Sequence, residues 1–260
     1  MDLELKGRRA LVTGASAGIG KAVAMSLAAE GCDIVLAARD GAKLTTAAQE
    51  IRDRTGVNVE IETVDLSRPE DQIRLAGHGD ALDILVNNAG SNPAGRIDEI
   101  SDELWRKSWD LKVFGYINLI RLIYPKFTER KNGVIINIIG NSGERMNDKY
   151  ILGSSGNLAL MGLTRALGGR SPDFGVRVVG LNPGLTATER AETLLRSWSE
   201  SRFGTSERAQ EVLADMDLPF GRMCKIEEIA DVVAFLASPR AGYVSGTIVT
   251  VDGGAVNRNG

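Results

Sequence analysis

Tyr150 and Ser154 stand four residues apart in a segment that runs on through small residues to Gly168, so a helix there puts a phenol and a hydroxyl on one face. A phenol can give or take a proton in catalysis. A free tyrosine titrates near 10, so proton transfer at neutral pH calls for a nearby positive charge, which a serine hydroxyl cannot supply. Lys149 is adjacent in sequence but points about 100° round the helix. A second chemistry is written near the start of the chain. Gly14, Ser16, Gly18, Ile19 and Gly20 form a Gly-x-x-x-Gly-x-Gly turn between an apolar run and an amphipathic one. Glycines in that place let backbone N–H groups approach a pyrophosphate at a helix N-terminus.

The elements that must position these groups follow a regular rhythm. Short β-branched runs at 10–13, 34–38, 59–64, 84–87, 134–139, 176–181 and 247–251 alternate with amphipathic stretches at 19–30, 43–54, 105–114 and after Tyr150. That alternation predicts βαβ units in an α/β fold: one Rossmann-like domain over 1–260, its doubly wound parallel sheet carrying helices on both faces. The longest stretch without a strand starts at Thr186 and ends near Ile229, and a substrate lid around 186–225 or a plain helical insertion is expected there. At 260 residues and 43% hydrophobic content the chain can bury one large core. Its net charge of −3 with interleaved signs offers neither a nucleic-acid stripe nor a polybasic membrane patch. Cys32 and Cys224 lack metal spacing, and with His78 the single histidine both a zinc site and a Ser-His-Asp hydrolase are excluded. Without an apolar leader or a bilayer-length apolar run, the expected location is cytoplasmic.

The glycine turn has company in a fixed order. Asp65-Leu66, Asn87-Asn88-Ala89-Gly90, Pro183-Gly184, Pro219-Phe220-Gly221-Arg222, Glu227-Glu228-Ile229-Ala230, Phe235-Leu236-Ala237-Ser238 and Val251-Asp252-Gly253-Gly254 together resemble the short-chain dehydrogenase/reductase family over about residues 7–254. The resemblance implies an NAD(P)-binding protein. By it, Gly14, Ser16, Gly18, Ile19 and Gly20 hold the pyrophosphate, and Asp65 and Leu66 the adenine. Asn88, Ala89 and Gly90 hold the adenosine ribose and the sheet centre, and Pro183, Gly184 and Thr188 the nicotinamide. An acidic residue that would bind the ribose 2′-OH of NAD is replaced by Ala38, and Arg39 beside it can pair with the 2′-phosphate of NADP. NADP is therefore expected, with NAD as the alternative, although Asp40 competes for Arg39 and Ala17 stands where a basic residue often supports NADP.

The family's catalytic set is Asn-Ser-Tyr-Lys, and this chain departs from it. Tyr150 matches the tyrosine. Ser154 takes the lysine place, Lys112 the asparagine place with Gly115 following, and Gly140 the serine place. Lys112 is expected to reach towards Tyr150 and replace the lost charge, with Ser154 leaving room, unless it is simply a surface lysine. Ser142 or Asn141 is expected to take over from the missing serine, unless Ser142 is a turn residue. The implied activity is hydride transfer between NAD(P)(H) and a small-molecule carbonyl or secondary alcohol, with Tyr150 as acid/base. The altered set leaves an alternative, an NADP-binding protein with little or no turnover, while dehydration or isomerisation has no positive feature. Assembly as a homotetramer or homodimer is implied. The lid mixes Arg190, Arg196, Arg202 and Arg208 with Leu194, Leu195, Trp198 and Phe203, a composition that suits an acid with an apolar body or a segment packed on itself.

Overall fold

Strands that are apolar at almost every position cannot leave either face in water, and here both faces are covered. The computed structural model describes residues 1–90 and 92–258. Its seven strands are β1 (Arg9–Thr13), β2 (Asp33–Ala38), β3 (Val59–Thr63), β4 (Ile84–Asn87), β5 (Gly133–Ile138), β6 (Val176–Pro183) and β7 (Ile248–Val251). They form one sheet in the order β3-β2-β1-β4-β5-β6-β7, and every pairing is parallel. The doubly wound, Rossmann-like arrangement read from the sequence is the one observed.

Neighbouring residues on each strand serve opposite faces. Val12, Val86, Ile136 and Val179 pack with α1 (Gly18–Ala29), α2 (Gly41–Thr55) and α9 (Ile226–Ala237) through Leu27, Leu44, Ile51, Ile229 and Val233. Leu11, Leu85, Ile135 and Val178 pack on the other face with Leu75 of α3 (Pro69–Ala76) and Leu119, Ile123 and Phe127 of α5 (Gly115–Arg130).

The expected helix at 105–114 proves to be two helices joined by an irregular turn. Ser101 caps α4 (Asp102–Trp109), its Oγ accepting the Leu104 N–H at 3.2 Å. The chain then widens into a π-helical turn, Asp110–Phe114, before α5. Such turns re-aim side chains without ending the helix. The stretch after β6 is helical, with α7 (Glu189–Phe203) and α8 (Ala209–Ala214), and its ends are tied together as the Ala187 N–H donates to Cys224 O and the Cys224 N–H to Leu185 O, both at 2.9 Å.

Small residues on α6 (Ile151–Arg170) let it lie close to the sheet. A Cβ at Gly168 would press into the carbonyl oxygen of Val178 and lie 2.6 Å from the Gly246 Cα, both rigid backbone. Gly168→Ala is therefore expected to cost about 1–3 kcal/mol through overpacking and to lower the melting temperature by several degrees. A melting curve indistinguishable from wild type would refute this account of the α6 contact.

Candidate active site

The cofactor-side residues gather at the C-terminal ends of the parallel strands, around the point between β1 and β4 where the winding direction reverses. Gly14 and Gly18 have φ of +65° and +55°, and a Cβ at Gly14 would sit 2.8 Å from Asn88 Nδ2. Asn88 closes the turn, its Nδ2 donating to Thr13 O at 2.9 Å, while the N–H groups of Asn88 and Ala89 donate to Thr13 Oγ1 at 2.9 and 3.1 Å. α1 starts at Gly18 with no side-chain cap on its first N–H groups. Those donors, with Ser16 and Ile19 beside them, fit an incoming pyrophosphate. Gly184 sits against Asp252, where a Cβ would come within 2.7 Å of the Asp252 Cβ. Thr188 caps α7 by accepting the Ala191 N–H at 3.2 Å, and its methyl would lie 3.4 Å from a Cβ on Gly18.

Asp40 does not compete for Arg39, because its carboxylate caps α2 by accepting the Lys43 N–H at 3.0 Å. Arg39 is exposed and forms no ion pair among the described residues. Its charge is nevertheless felt at Asp65. Burial works to raise that carboxyl, and the Ser67 N–H and hydroxyl, with Arg39 and Arg68 behind them, outweigh it and hold it below the usual carboxylate range. Asp65 thus belongs to the same rim as Arg39, with buried Leu66 next to it.

Tyr150 precedes α6 as its N-cap residue, fixed from outside by the loop after β4: the Gly95 N–H donates to Lys149 O at 2.8 Å and the Ile151 N–H to Gly95 O at 3.3 Å. Its ring folds back over Gly153, where any Cβ would fall inside the ring. Ser154 does something other than the sequence implied. Its Oγ accepts the Asn147 N–H at 3.1 Å and donates to Asn147 O at 3.4 Å, so it pins the loop leading into Tyr150.

Lys112 points inward from the π-helical turn and donates to Ile139 O at 2.6 Å and to Asn157 Oδ1 at 2.8 Å. The direct reach to Tyr150 expected from sequence is not made; the amine is held by Asn157, about two turns further along α6. Asn157 carries the network on, its Nδ2 donating to Ser142 Oγ at 2.8 Å and to Gly140 O at 3.2 Å. Ser142 thus comes into the site, while Asn141 turns away to donate to Asp252 Oδ2 at 3.3 Å. Gly140 has φ of +129°, and a Cβ there would meet Asn157 Nδ2 at 2.9 Å. Burial pushes the Lys112 amine down from an ordinary 10.5 to about 7, and the charge of Arg190 adds to the shift.

Three residues of this site went unassigned in the sequence reading. Gly153 and Asn157 are themselves four residues apart, a spacing visible once the count starts from the ring's resting place rather than from Tyr150. Arg190, from the first turn of α7, donates through Nη1 to Gly90 O and through Nη2 to Asn92 O, both at 2.9 Å, and its Nη2 stands 3.4 Å from Tyr150 Oη. The Lys112 stem packs on the same Gly90, 2.8 Å from where its Cβ would be. Tyr150, Arg190, Gly90 and Lys112 therefore line one cleft.

Residues 8–198 match a family model described as short chain dehydrogenase. An uncharacterized oxidoreductase of Thermotoga maritima is 32% identical over 257 residues, covering 97% of this chain and 99% of that protein. The 7alpha-hydroxysteroid dehydrogenase of Escherichia coli is 29% identical over 259 residues, 98% of this chain and 96% of the relative. Among solved structures, L-sorbose reductase from Gluconobacter frateurii, complexed with NADPH and L-sorbose, superposes with a TM-score of 0.91 at 32% identity, with 100% of both chains covered.

The Lys112 amine has a signature in stability. Below pH 7 it is charged in both folded and unfolded chains, and the folded state bears the full cost of burying it. Between about 7 and 10.5 the unfolded chain holds a proton that the folded chain has released, so stability rises with pH across that window. Lys112→Met is therefore expected to be most stabilising relative to wild type at pH 6, and the gap in unfolding free energy should narrow as the pH moves from 7 towards 10. A gap independent of pH would mean that the amine is not desolvated.

Proposed function

From the premise that this chain belongs to the short chain dehydrogenase family, we propose that Tyr150, seated over Gly153 and served by Lys112, Asn157 and Ser142, handles the proton in a carbonyl–alcohol interconversion. The chain is an NAD(P)-dependent oxidoreductase that transfers a hydride between the nicotinamide and a carbonyl or secondary alcohol. The reading as a nucleotide-binding protein without turnover is not favoured. Supporting the proposal above all is the convergence on Gly90 beside Tyr150: Arg190 donates to Gly90 O and stands 3.4 Å from Tyr150 Oη, and the stem of Lys112 packs on the same Gly90.

Bound nicotinamide supplies or receives the hydride, and the protein does the rest. Ser142 Oγ accepts from Asn157, so its own O–H is free to donate to a substrate oxygen. Asn157 Oδ1 fixes the Lys112 amine, whose charge favours an anionic oxygen nearby. Ser154 stays in the proposal as the residue that holds the approach to Tyr150. On the cofactor side the assigned set is Gly14, Ser16, Gly18, Ile19, Gly20, Asp65, Leu66, Asn88, Ala89, Gly90, Pro183, Gly184 and Thr188. Arg39 takes the 2′-phosphate, so NADP is preferred. L-sorbose reductase, a structural neighbour, is complexed with NADPH.

A homotetramer or homodimer is part of the same proposal, supported by β7, whose half-buried residues form one edge of the sheet. No helix among the described residues is long and apolar enough to cross a membrane, and a cytoplasmic location is proposed on that ground.

Tyr150→Phe is expected to lower kcat for NADPH-dependent reduction of a responsive ketone by about 10²–10⁴-fold while NADPH binding, read by fluorescence, persists. Undiminished turnover in the variant would remove Tyr150 from the chemistry. Gly153→Ala tests the seat. It should leave the melting temperature close to wild type, since the half-buried ring at the helix start can swing out, yet reduce kcat to a level near that of Tyr150→Phe. Full activity would show that the ring need not lie there.

A further inference from the structure

Of the four arginines from the start of α7 to the end of α8, three are settled without reference to the cleft. Arg202 pairs with Asp215 at 2.8 Å and Arg208 with Glu211 at 2.6 Å. Both guanidinium groups also stack on Phe203, at 4.8 and 3.8 Å. Arg196 is exposed on α7. Of the two alternatives the sequence left open for this segment, self-packing accounts for Arg202 and Arg208.

Arg190 is different. It leaves α7, crosses the cleft and anchors on two backbone carbonyls beside Tyr150. No carboxylate pairs with it among the described residues, and none pairs with Lys112, the other cation of the cleft. The carbonyls of Gly90 and Asn92 are neutral dipoles that orient the guanidinium without cancelling its charge. Lys112 feels that uncancelled charge directly. The contact to Tyr150 Oη is long, at 3.4 Å, and Arg190 Nε has no hydrogen-bond partner among the described residues. The edge of the fork formed by Nε and Nη2 is therefore held only by that long contact, which an incoming group beside the proton-transferring hydroxyl can replace. That edge matches two oxygens of a carboxylate.

We infer that Arg190 is a substrate-binding and specificity-determining residue that receives a carboxylate adjacent to the reacting carbon, so that the substrates are 2-oxo or 3-oxo acids and the corresponding hydroxy acids. The inference rests on the oxidoreductase reading above. In reduction the carbonyl carbon receives a hydride from NADPH, which leaves as NADP⁺, and the carbonyl π pair moves to oxygen, which takes the Tyr150 proton. The carboxylate keeps its charge throughout and stays on Arg190. With Arg190 Nη2 only 3.4 Å from Tyr150 Oη, the acid group must lie within one or two carbons of the carbonyl.

The test compares 2-oxo and 3-oxo acids with their methyl esters, and with neutral ketones, under NADPH. Wild type should favour an acid over its ester by about 100-fold in kcat/KM, the size expected of a charge-assisted bidentate contact. Arg190→Ala should collapse that preference, mainly through KM. Arg190→Lys should restore part of it. Calorimetric titration of the NADP⁺ complex with the hydroxy acid should show binding in wild type that is lost in Arg190→Ala, with the NADPH dissociation constant moving less than about threefold. Three results would overturn the assignment. Equal use of acid and ester by wild type would leave the oxidoreductase reading standing and sink this one. A variant that loses affinity for NADPH rather than for the acid would move Arg190 to the cofactor phosphates. If wild type reduced neither acids, esters nor ketones, the oxidoreductase reading would fall and take this inference with it.

Discussion

An amine buried without a carboxylate is the constraint around which the catalytic end of this molecule is arranged. A bare ammonium in a low-dielectric cleft is expensive, and proteins normally offset it with a paired acid. Here the offset is made from dipoles, the carbonyl oxygens of Ile139 and Asn157. Each partner must then be held in turn. Ile139 lies just past β5, whose Ile138 O also accepts the buried Tyr116 hydroxyl at 2.9 Å. Asn157 keeps its oxygen towards Lys112 because its nitrogen is occupied by Gly140 O and Ser142 Oγ. Gly140 must be glycine for both its left-handed φ and its contact with Asn157. The π-helical turn belongs to the same set, since it is the element that carries Lys112 inward.

The start of α6 is organised to present Tyr150 to that arrangement. Ser154 and the strand-like pairing with Gly95 hold the chain on either side of the residue. Gly153 supplies the room for its ring. A helix N-terminus carries partial positive charge, which an acidic residue in the first turn would neutralise, and α6 has none there. Helix terminus and amine thus act in the same sense on an oxygen that becomes anionic at this end of the cleft.

The sheet, and the case for a dinucleotide cofactor, were legible in the sequence because the rules that govern them are local. A strand with both faces buried must be apolar, a parallel neighbour needs a helical crossover, and a backbone that approaches phosphate needs glycine, so the runs from Ala10 to Val251 and the Gly14–Gly20 turn carry their own meaning. The catalytic side obeys no local rule. Counting four residues from Tyr150 leads to Ser154, yet the ring lies over Gly153 and the residue that meets Lys112 is Asn157. A side-chain torsion decides that, and spacing does not record it. The join between α4 and α5 was hidden for a related reason: a π-helical turn keeps the apolar periodicity of a helix while shifting its phase, so 105–114 reads as one helix. Asp40 shows the same limit on a smaller scale, since whether it neutralises Arg39 or caps α2 depends on which way one carboxylate turns.

The two sides of the site meet in three consecutive residues. Thr188 caps α7 and lies beside the glycine turn at Gly18, Glu189 follows, and Arg190 crosses to Gly90 and Tyr150. A guanidinium held near a buried amine is unfavourable in itself, and no carboxylate among the described residues pairs with either group. What keeps Arg190 there is its pair of carbonyl contacts together with the cap that fixes where α7 begins. The tension between Arg190 and Lys112 is released by whatever negative charge enters between them. The entry of an anion there therefore strengthens the hold of Arg190, and with it α7, on the site.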